Sequence, residues 1–200
     1  MKKITLIFLL ICGYTYSQNL VIESGASLTI EKTGSATVGG NFSNSGTVTM
    51  NSDADEFSAI IISGTANGNI TYNRFVNYAA SGEWDLIGSP VDGLSISAFI
   101  NTNISGTATL ATNGSAFAVG YYDNSTDTWT NYTTGNVGGA GNFDIGKGYQ
   151  MGTVSGGTQI LAFTGSISSS DETQSIINND AANSGSGRRW NLVANPYPSY

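Results

Sequence analysis

Between Leu20 and Val76 no apolar run is longer than Ala59-Ile60-Ile61-Ile62, and almost every run is ended by Gly, Asn or Ser. This punctuation is the strongest constraint on the fold. A helix needs an uninterrupted stripe with a period of 3.6 residues over ten or more positions, whereas a half-buried strand needs only a few residues of alternation. Leu28 and Ile30, then Val48 and Met50, keep the period of two. Thr37-Val38, Ala59 to Ile62 and Ile70-Thr71-Tyr72 supply further short strands, with Gly25, Gly34, Gly46, Gly64 and Gly68 near the turns. Gly, Ser, Thr and Asn together make 93 of the 200 residues, which is turn and strand chemistry. An all-β chain is expected.

Residues 18–78 are expected to form a short β-solenoid, parallel and β-helix-like, because their turns are irregularly spaced and rich in Asn and Gly. The first half of an antiparallel sandwich is the alternative. From Trp84 the texture changes. Aromatic residues become dense, and residues 79–167 read as a β-sandwich-like module. Ala116 to Tyr122, a turn at Asp123 to Asp127, and Thr128 to Thr133 carry a hairpin signature. Tyr149 to Met151 and Gln159 to Thr164 are further strands, and Ser95 to Ile100 is the one short helix expected. Residues 168–189 are polar and read as a loop or linker.

One internal repeat stands out. Trp84-Asp85-Leu86-Ile87-Gly88-Ser89-Pro90 aligns without a gap on Trp190-Asn191-Leu192-Val193-Ala194-Asn195-Pro196. Trp, Leu and the small residue share one strand face, and Pro ends the strand because it cannot donate a ladder hydrogen bond. Residues 190–200 therefore either close the module or begin a second one.

The N-terminus reads as a targeting segment. Lys2 and Lys3 precede an apolar stretch from Ile4 to Ile11, and Thr15 and Ser17 suit cleavage after residue 17. The apolar stretch is well short of the roughly 20 residues of a membrane span. Residues 1–17 are thus expected to be a signal peptide, with Cys12 part of it, and the mature chain to be secreted or held at the cell surface without a membrane span. That chain has five basic residues against fourteen acidic ones and no cysteine. Its acidity argues against nucleic acid as a partner. The sequence has no histidine, which removes the Ser-His-Asp triad, Cys-His pairs and ordinary zinc sites.

The segments Gly68 to Val76, Trp84 to Pro90, Gly146 to Met151, Phe163 to Gly165 and Trp190 to Pro198 resemble the secreted and surface proteins of Bacteroidetes type that are exported by type IX secretion. The resemblance covers nearly all of the mature chain. It implies a β-solenoid stalk, then β-sandwich units, then a C-terminal sorting domain. No sorting domain is seen before Tyr200, which suits the N-terminal portion of a longer protein.

Three groups of residues are candidates for a site. Tyr122, Trp129 and Tyr132 are the expected recognition surface, since flat aromatic rings stack on sugar faces. Trp129 and Tyr132 lie three apart in a strand, so they face opposite sides and at least one belongs to the core. Asp53, Asp55 and Glu56 offer oxygen ligands that suit Ca²⁺, against the plainer reading of a solvated loop. Glu83 and Asp85 share a strand face as a carboxylate pair would, but nothing else builds a glycosidase cleft. No catalytic residues are assigned. The expected function is a structural or adhesive extracellular element without catalytic activity, with glycans or other cell-surface molecules as partners. The alternative is a carbohydrate-binding accessory module of a polysaccharide-degrading protein.

Overall fold

The structure is a computed structural model that describes residues 18–79, 82–105, 110–178 and 190–199. The expected signal peptide and the end of the polar stretch, residues 179–189, lie outside the described residues. What is described is mostly β, with parallel and antiparallel sheets and one short helix.

The first eight strands are β1 (Leu20–Ile22), β2 (Ser27–Ile30), β3 (Ser35–Val38), β4 (Phe42–Asn44), β5 (Thr47–Asn51), β6 (Ala59–Ile62), β7 (Ala66–Asn67) and β8 (Asn69–Phe75). They pair in parallel in three ladders: β1–β4–β7, β2–β5–β8 and β3–β6. Leu20 faces Phe42 and Phe42 faces Ala66. Ser27 faces Thr47, Thr49 faces Thr71, and Ser35 faces Ala59. The chain thus visits the three ladders in turn and returns to each after 20 to 24 residues.

The asparagines explain how such short strands hold their backbone. Asn19, Asn41 and Thr65 occupy equivalent turns. Asn19 Oδ1 accepts from the Asn41 N–H at 2.8 Å, and Asn41 Oδ1 accepts from the Thr65 N–H at 2.9 Å. Asn73 Nδ2 donates to Asn51 Oδ1, and Asn51 Nδ2 donates to Glu31 Oε2, both at 2.9 Å. At the Asn19–Asn41–Thr65 turns a backbone N–H is thus satisfied by an amide one pass away, while Asn51 and Asn73 tie neighbouring passes through their side chains. Inward-facing Ile22, Ile30, Phe42, Val48, Met50 and Ile70 are buried. Each such side chain contributes about 1.5–3 kcal/mol.

The remaining elements are β9 (Asp85–Ile87), α1 (Ile96–Asn103), β10 (Thr112–Asn113), β11 (Ala116–Asp123), β12 (Thr128–Thr133), β13 (Tyr149–Met151) and β14 (Ile160–Ser166). Strands β10, β11, β13 and β9 form an antiparallel sheet, with β12 also on β11. The expected hairpin is present, with Tyr122 opposite Trp129 and Asp123 opposite Thr128. The helix runs one turn past its expected end. Ser95 Oγ accepts from the Ala98 N–H at 3.1 Å, and Ile96, Phe99, Ile100 and Asn103 are buried on one face.

Strand β14 departs from the expected organisation. It does not join the antiparallel sheet of its neighbours but pairs antiparallel with β8, from Ile160 opposite Phe75 to Ser166 opposite Asn69. The parallel ladder β2–β5–β8 therefore ends in a strand drawn from the second part of the chain. The outer edge of β14 is closed by α1: Asn103 donates to the Ala162 carbonyl at 3.0 Å and accepts from its N–H at 2.7 Å. One hydrophobic core runs through both textures. Phe143 links them, standing edge-on to Tyr149 of β13 at 4.9 Å and 6.2 Å from Phe163 of β14. The polar stretch has no helix or strand over its described part, residues 168–178.

Candidate functional site

The two copies of the repeat lie side by side. In the first, β9 pairs with β13, Ile87 opposite Tyr149. The second pairs with the residues just before β13. Gly148 N–H donates to the Leu192 carbonyl and Ala194 N–H to the Gly146 carbonyl, both at 2.9 Å, with Lys147 opposite Val193. The copies touch at equivalent positions: a Cβ on Gly88 would stand 2.6 Å from the Cβ of Ala194. A Cβ on Gly148 would stand 2.3 Å from Leu192 Cγ. Only glycine permits this approach at either position.

The second residue of each copy also acts alike. Asp85 accepts from Asn77 twice, from the backbone N–H at 2.8 Å and from Nδ2 at 2.9 Å. Asn191 accepts from the Ile177 N–H and donates to the Ile177 carbonyl, both at 2.8 Å. Asn77 presents two donors and meets a carboxylate. Ile177 presents a donor and an acceptor and meets an amide. The Asp-to-Asn difference between the copies follows from what each side chain must hold.

This pairing carries Trp190 onto the hairpin. Asn124 Nδ2 donates to the Trp190 carbonyl at 2.5 Å. The hairpin turn is itself built by Asp123, whose carboxylate accepts from Ser125 Oγ at 2.6 Å and Ser125 N–H at 2.9 Å. Those bonds, led by the one from the Ser125 hydroxyl, hold the Asp123 carboxyl below its usual range. Asp127 closes the turn with a φ of 58° and accepts from the Tyr122 hydroxyl at 2.5 Å. Tyr122 and Trp129, opposite each other across the strands, meet at a ring-centre distance of 5.4 Å.

The result is an open cleft of about 370 Å³ lined by Leu86, Tyr122, Asp127, Trp129, Trp190 and Leu192. Three of its apolar side chains are unusually exposed: Trp190 at 71%, Leu86 at 53% and Trp129 at 42%. Large apolar groups that face water together mark a contact surface. A family described as a domain of unknown function, DUF8693, matches residues 9–200. The chain belongs to this family. No curated protein and no solved structure matches it.

Of the three aromatic residues expected at the site, the DUF8693 chain brings Tyr122 and Trp129 together and separates Tyr132. Tyr132 is buried on the opposite face, 5.7 Å from the ring of Tyr121. Burial, and then the neighbouring Tyr149, Tyr121 and Asp144, push its phenol well above the usual range. It is a core residue, as the odd spacing from Trp129 allows. Trp190, Leu86 and Leu192 complete the cleft and were not among the expected site residues. The repeat was the signal for them, since it marks the Trp and Leu of both copies as one strand face.

The acidic loop does not gather ligands for a cation. Lys32 Nζ pairs with the Asp53 carboxylate and lies 3.2 Å from Glu56 Oε2. Asp53 Oδ1 accepts from the backbone of Asp55 and Glu56 at 3.1 and 2.9 Å. These contacts, the Lys32 bond first, lower the Asp53 carboxyl and raise the Lys32 ammonium. Asp55 is exposed. The ammonium thus takes the place given to Ca²⁺ in the sequence reading, and no group of three acidic, His or Cys side chains is placed to hold a metal among the described residues. Glu83 is exposed, while both Asp85 oxygens are held by Asn77, so the two form no acid–base pair. No described helix is long and apolar enough to cross a membrane.

Proposed function

We propose that this DUF8693 protein is an exported, extracellular adhesive element that performs no chemistry of its own and holds a glycan on its aromatic cleft. The observation that carries the reading is the convergence of Trp129 and Trp190. They lie 61 residues apart in sequence, yet both line one cleft with much of their surface in water. Rigid indoles left exposed in one cleft supply stacking area at small entropic cost. The N-terminal targeting pattern supports export, and the resemblance to type IX cargo supports a place at the cell surface.

The finer fold reading belongs to the same proposal. We read residues 18–78 as a short β-solenoid, a reading supported by the return to each parallel ladder every 20 to 24 residues. The antiparallel part is read as sandwich-like, supported by the aromatic core between β13 and β14. In this arrangement the first segment is a stem and the hairpin with the repeat is the head. A second reading, an accessory binding module of a polysaccharide-degrading protein, uses the same cleft and differs only in having a catalytic partner.

The test is retention of the secreted protein on insoluble and soluble glycans. Trp129→Ala and Trp190→Ala are each expected to weaken binding by about 2 kcal/mol, roughly thirtyfold, with the thermal midpoint little changed. Tyr132→Ala, a core truncation, is expected to cost about 3 kcal/mol of stability instead. Unchanged retention in the double tryptophan variant would remove the reading.

A further inference from the structure

We propose that the cleft beside Arg74 receives a carboxylate borne on a sugar ring, so that the glycan taken by this protein is a polymer of uronic acid. The inference rests on the glycan reading of the aromatic cleft and adds the chemical class of its ligand.

A second cleft, of about 320 Å³, lies between β8 and the repeat, and its lining includes Phe57, Arg74, Leu86, Val193 and Asn195. Leu86 lines both clefts, so the two adjoin there. Arg74 follows Ile70 and Tyr72 on one face of β8, and those two are buried in the core. The core-facing row therefore ends in a half-buried guanidinium. Its carbon stands 4.1 Å from the centre of the Phe57 ring. This cation–π contact holds the guanidinium in the cleft, and its fork of N–H donors suits a planar acceptor.

Among the described residues Arg74 meets no anion. The described residues hold three cations. Lys32 pairs with Asp53 and Glu56, and Lys147 with Asp144 at 3.2 Å. Arg74 has no carboxylate within salt-bridge distance among the described residues, and no Asp or Glu lines its cleft. The fork of this guanidinium meets no carboxylate of the described residues and suits one carried by a ligand. A carboxylate fits the fork with two parallel hydrogen bonds. The net negative charge of the chain works against steering polyanions from a distance. Selection must then act at contact, where a half-buried site is weakly screened. A sugar ring stacked along Leu86 and the indoles, with its carboxylate turned to Arg74, uses both clefts at once.

The experiment is calorimetric titration of the secreted protein with hexamers of galacturonate and of alginate, each compared with its neutral ester. At least one acid hexamer is expected to bind tenfold or more tightly than its ester, and the difference is expected to shrink as salt is raised. Arg74→Gln should reduce acid binding to the level of the ester. Asn195→Asp, which sets a competing carboxylate on the exposed rim, keeps the bond from the Tyr197 N–H and gives up the one to the Ser199 carbonyl, should do the same and covers the case in which Arg74→Gln fails to fold. Equal binding of acid and ester, or an acid preference that survives Asn195→Asp and a folded Arg74→Gln, overturns the proposal. In that case a loss of ester binding in Trp129→Ala and Trp190→Ala still leaves the aromatic reading standing. If acid, ester and neutral glycans all fail to bind, the aromatic reading and this proposal fall together.

Discussion

The grip of Asn191 on Ile177 can be tested by giving it the residue that its counterpart carries. In Asn191→Asp the bond from the Ile177 N–H survives, because a carboxylate accepts it as an amide oxygen does. The second bond is lost, and a carboxylate oxygen is left about 2.8 Å from the Ile177 carbonyl. A neutral hydrogen bond contributes about 1 kcal/mol, and two facing acceptors add a repulsion that partial exposure moderates. The expected cost is about 1.5 kcal/mol, roughly tenfold in the opening equilibrium of this contact. The assay is hydrogen exchange of the Ile177 amide, expressed as variant over parent at the same pH. Near neutral pH the ratio should be about ten. The carbonyl disfavours the charged form, so the introduced carboxyl has a folded pKa above its unfolded value of about 3.9. Stability is then intact below about pH 4, where the protonated group can donate to the carbonyl, and is lost as pH rises through the folded value. The ratio should accordingly fall toward one on acidification. A ratio near one at neutral pH, or one that does not fall in acid, refutes the donor–acceptor matching on which the argument rests.

Three further outcomes are expected. Gly148→Ala places a methyl group 2.3 Å from Leu192 Cγ, and should cost about 1–3 kcal/mol and several degrees of thermal midpoint; an unchanged midpoint would show that the repeat can shift at no cost. Millimolar CaCl₂ followed by chelator should leave the melting temperature where it was, because the Lys32 ammonium already sits between Asp53 and Glu56; a calcium-dependent rise would restore the acidic loop as a site. Burial pushes the Tyr149 phenol up to about 12, so its contribution is complete below the unfolded value of about 10 and lost as pH rises from there towards 12. Phenolate absorbance should therefore develop in more than one step, and a single step near pH 10 in the folded protein would contradict the burial.

Local pattern made part of this fold legible. Leu28 with Ile30, and Val48 with Met50, announce strands because a side-chain period of two needs no knowledge of the partner. The hairpin was legible because Asp123 and Asp127 are turn formers and the turn closes on its own hydrogen bonds. The partner of β14 was not legible. The alternation in Ile160–Ser166 marks a strand, but pairing with residues some ninety positions earlier depends on the exposed edge of β8, which no local pattern encodes. The site divides in the same way. Tyr122 and Trp129 could be read from the hairpin register. Trp190 needed the repeat to be taken as geometry, with two like segments set along one strand. The acidic loop misled because Asp53 and Glu56 answer to Lys32, a residue 21 positions before Asp53, and to their own backbone.

Strand β14 runs against β8, whereas β8, β5 and β2 all run the same way. An antiparallel strand on that edge cannot seed another parallel pass, so the number of passes is set before β8 is reached. The face that carries Trp129 and Trp190 is built by residues that follow β8, and Arg74 stands on β8 itself. One more pass of 20 to 24 residues inserted ahead of β4 would lift this face by one strand spacing, about 4.8 Å, without altering a residue of either cleft. The number of parallel passes and the residues of the two clefts can therefore vary independently in this architecture.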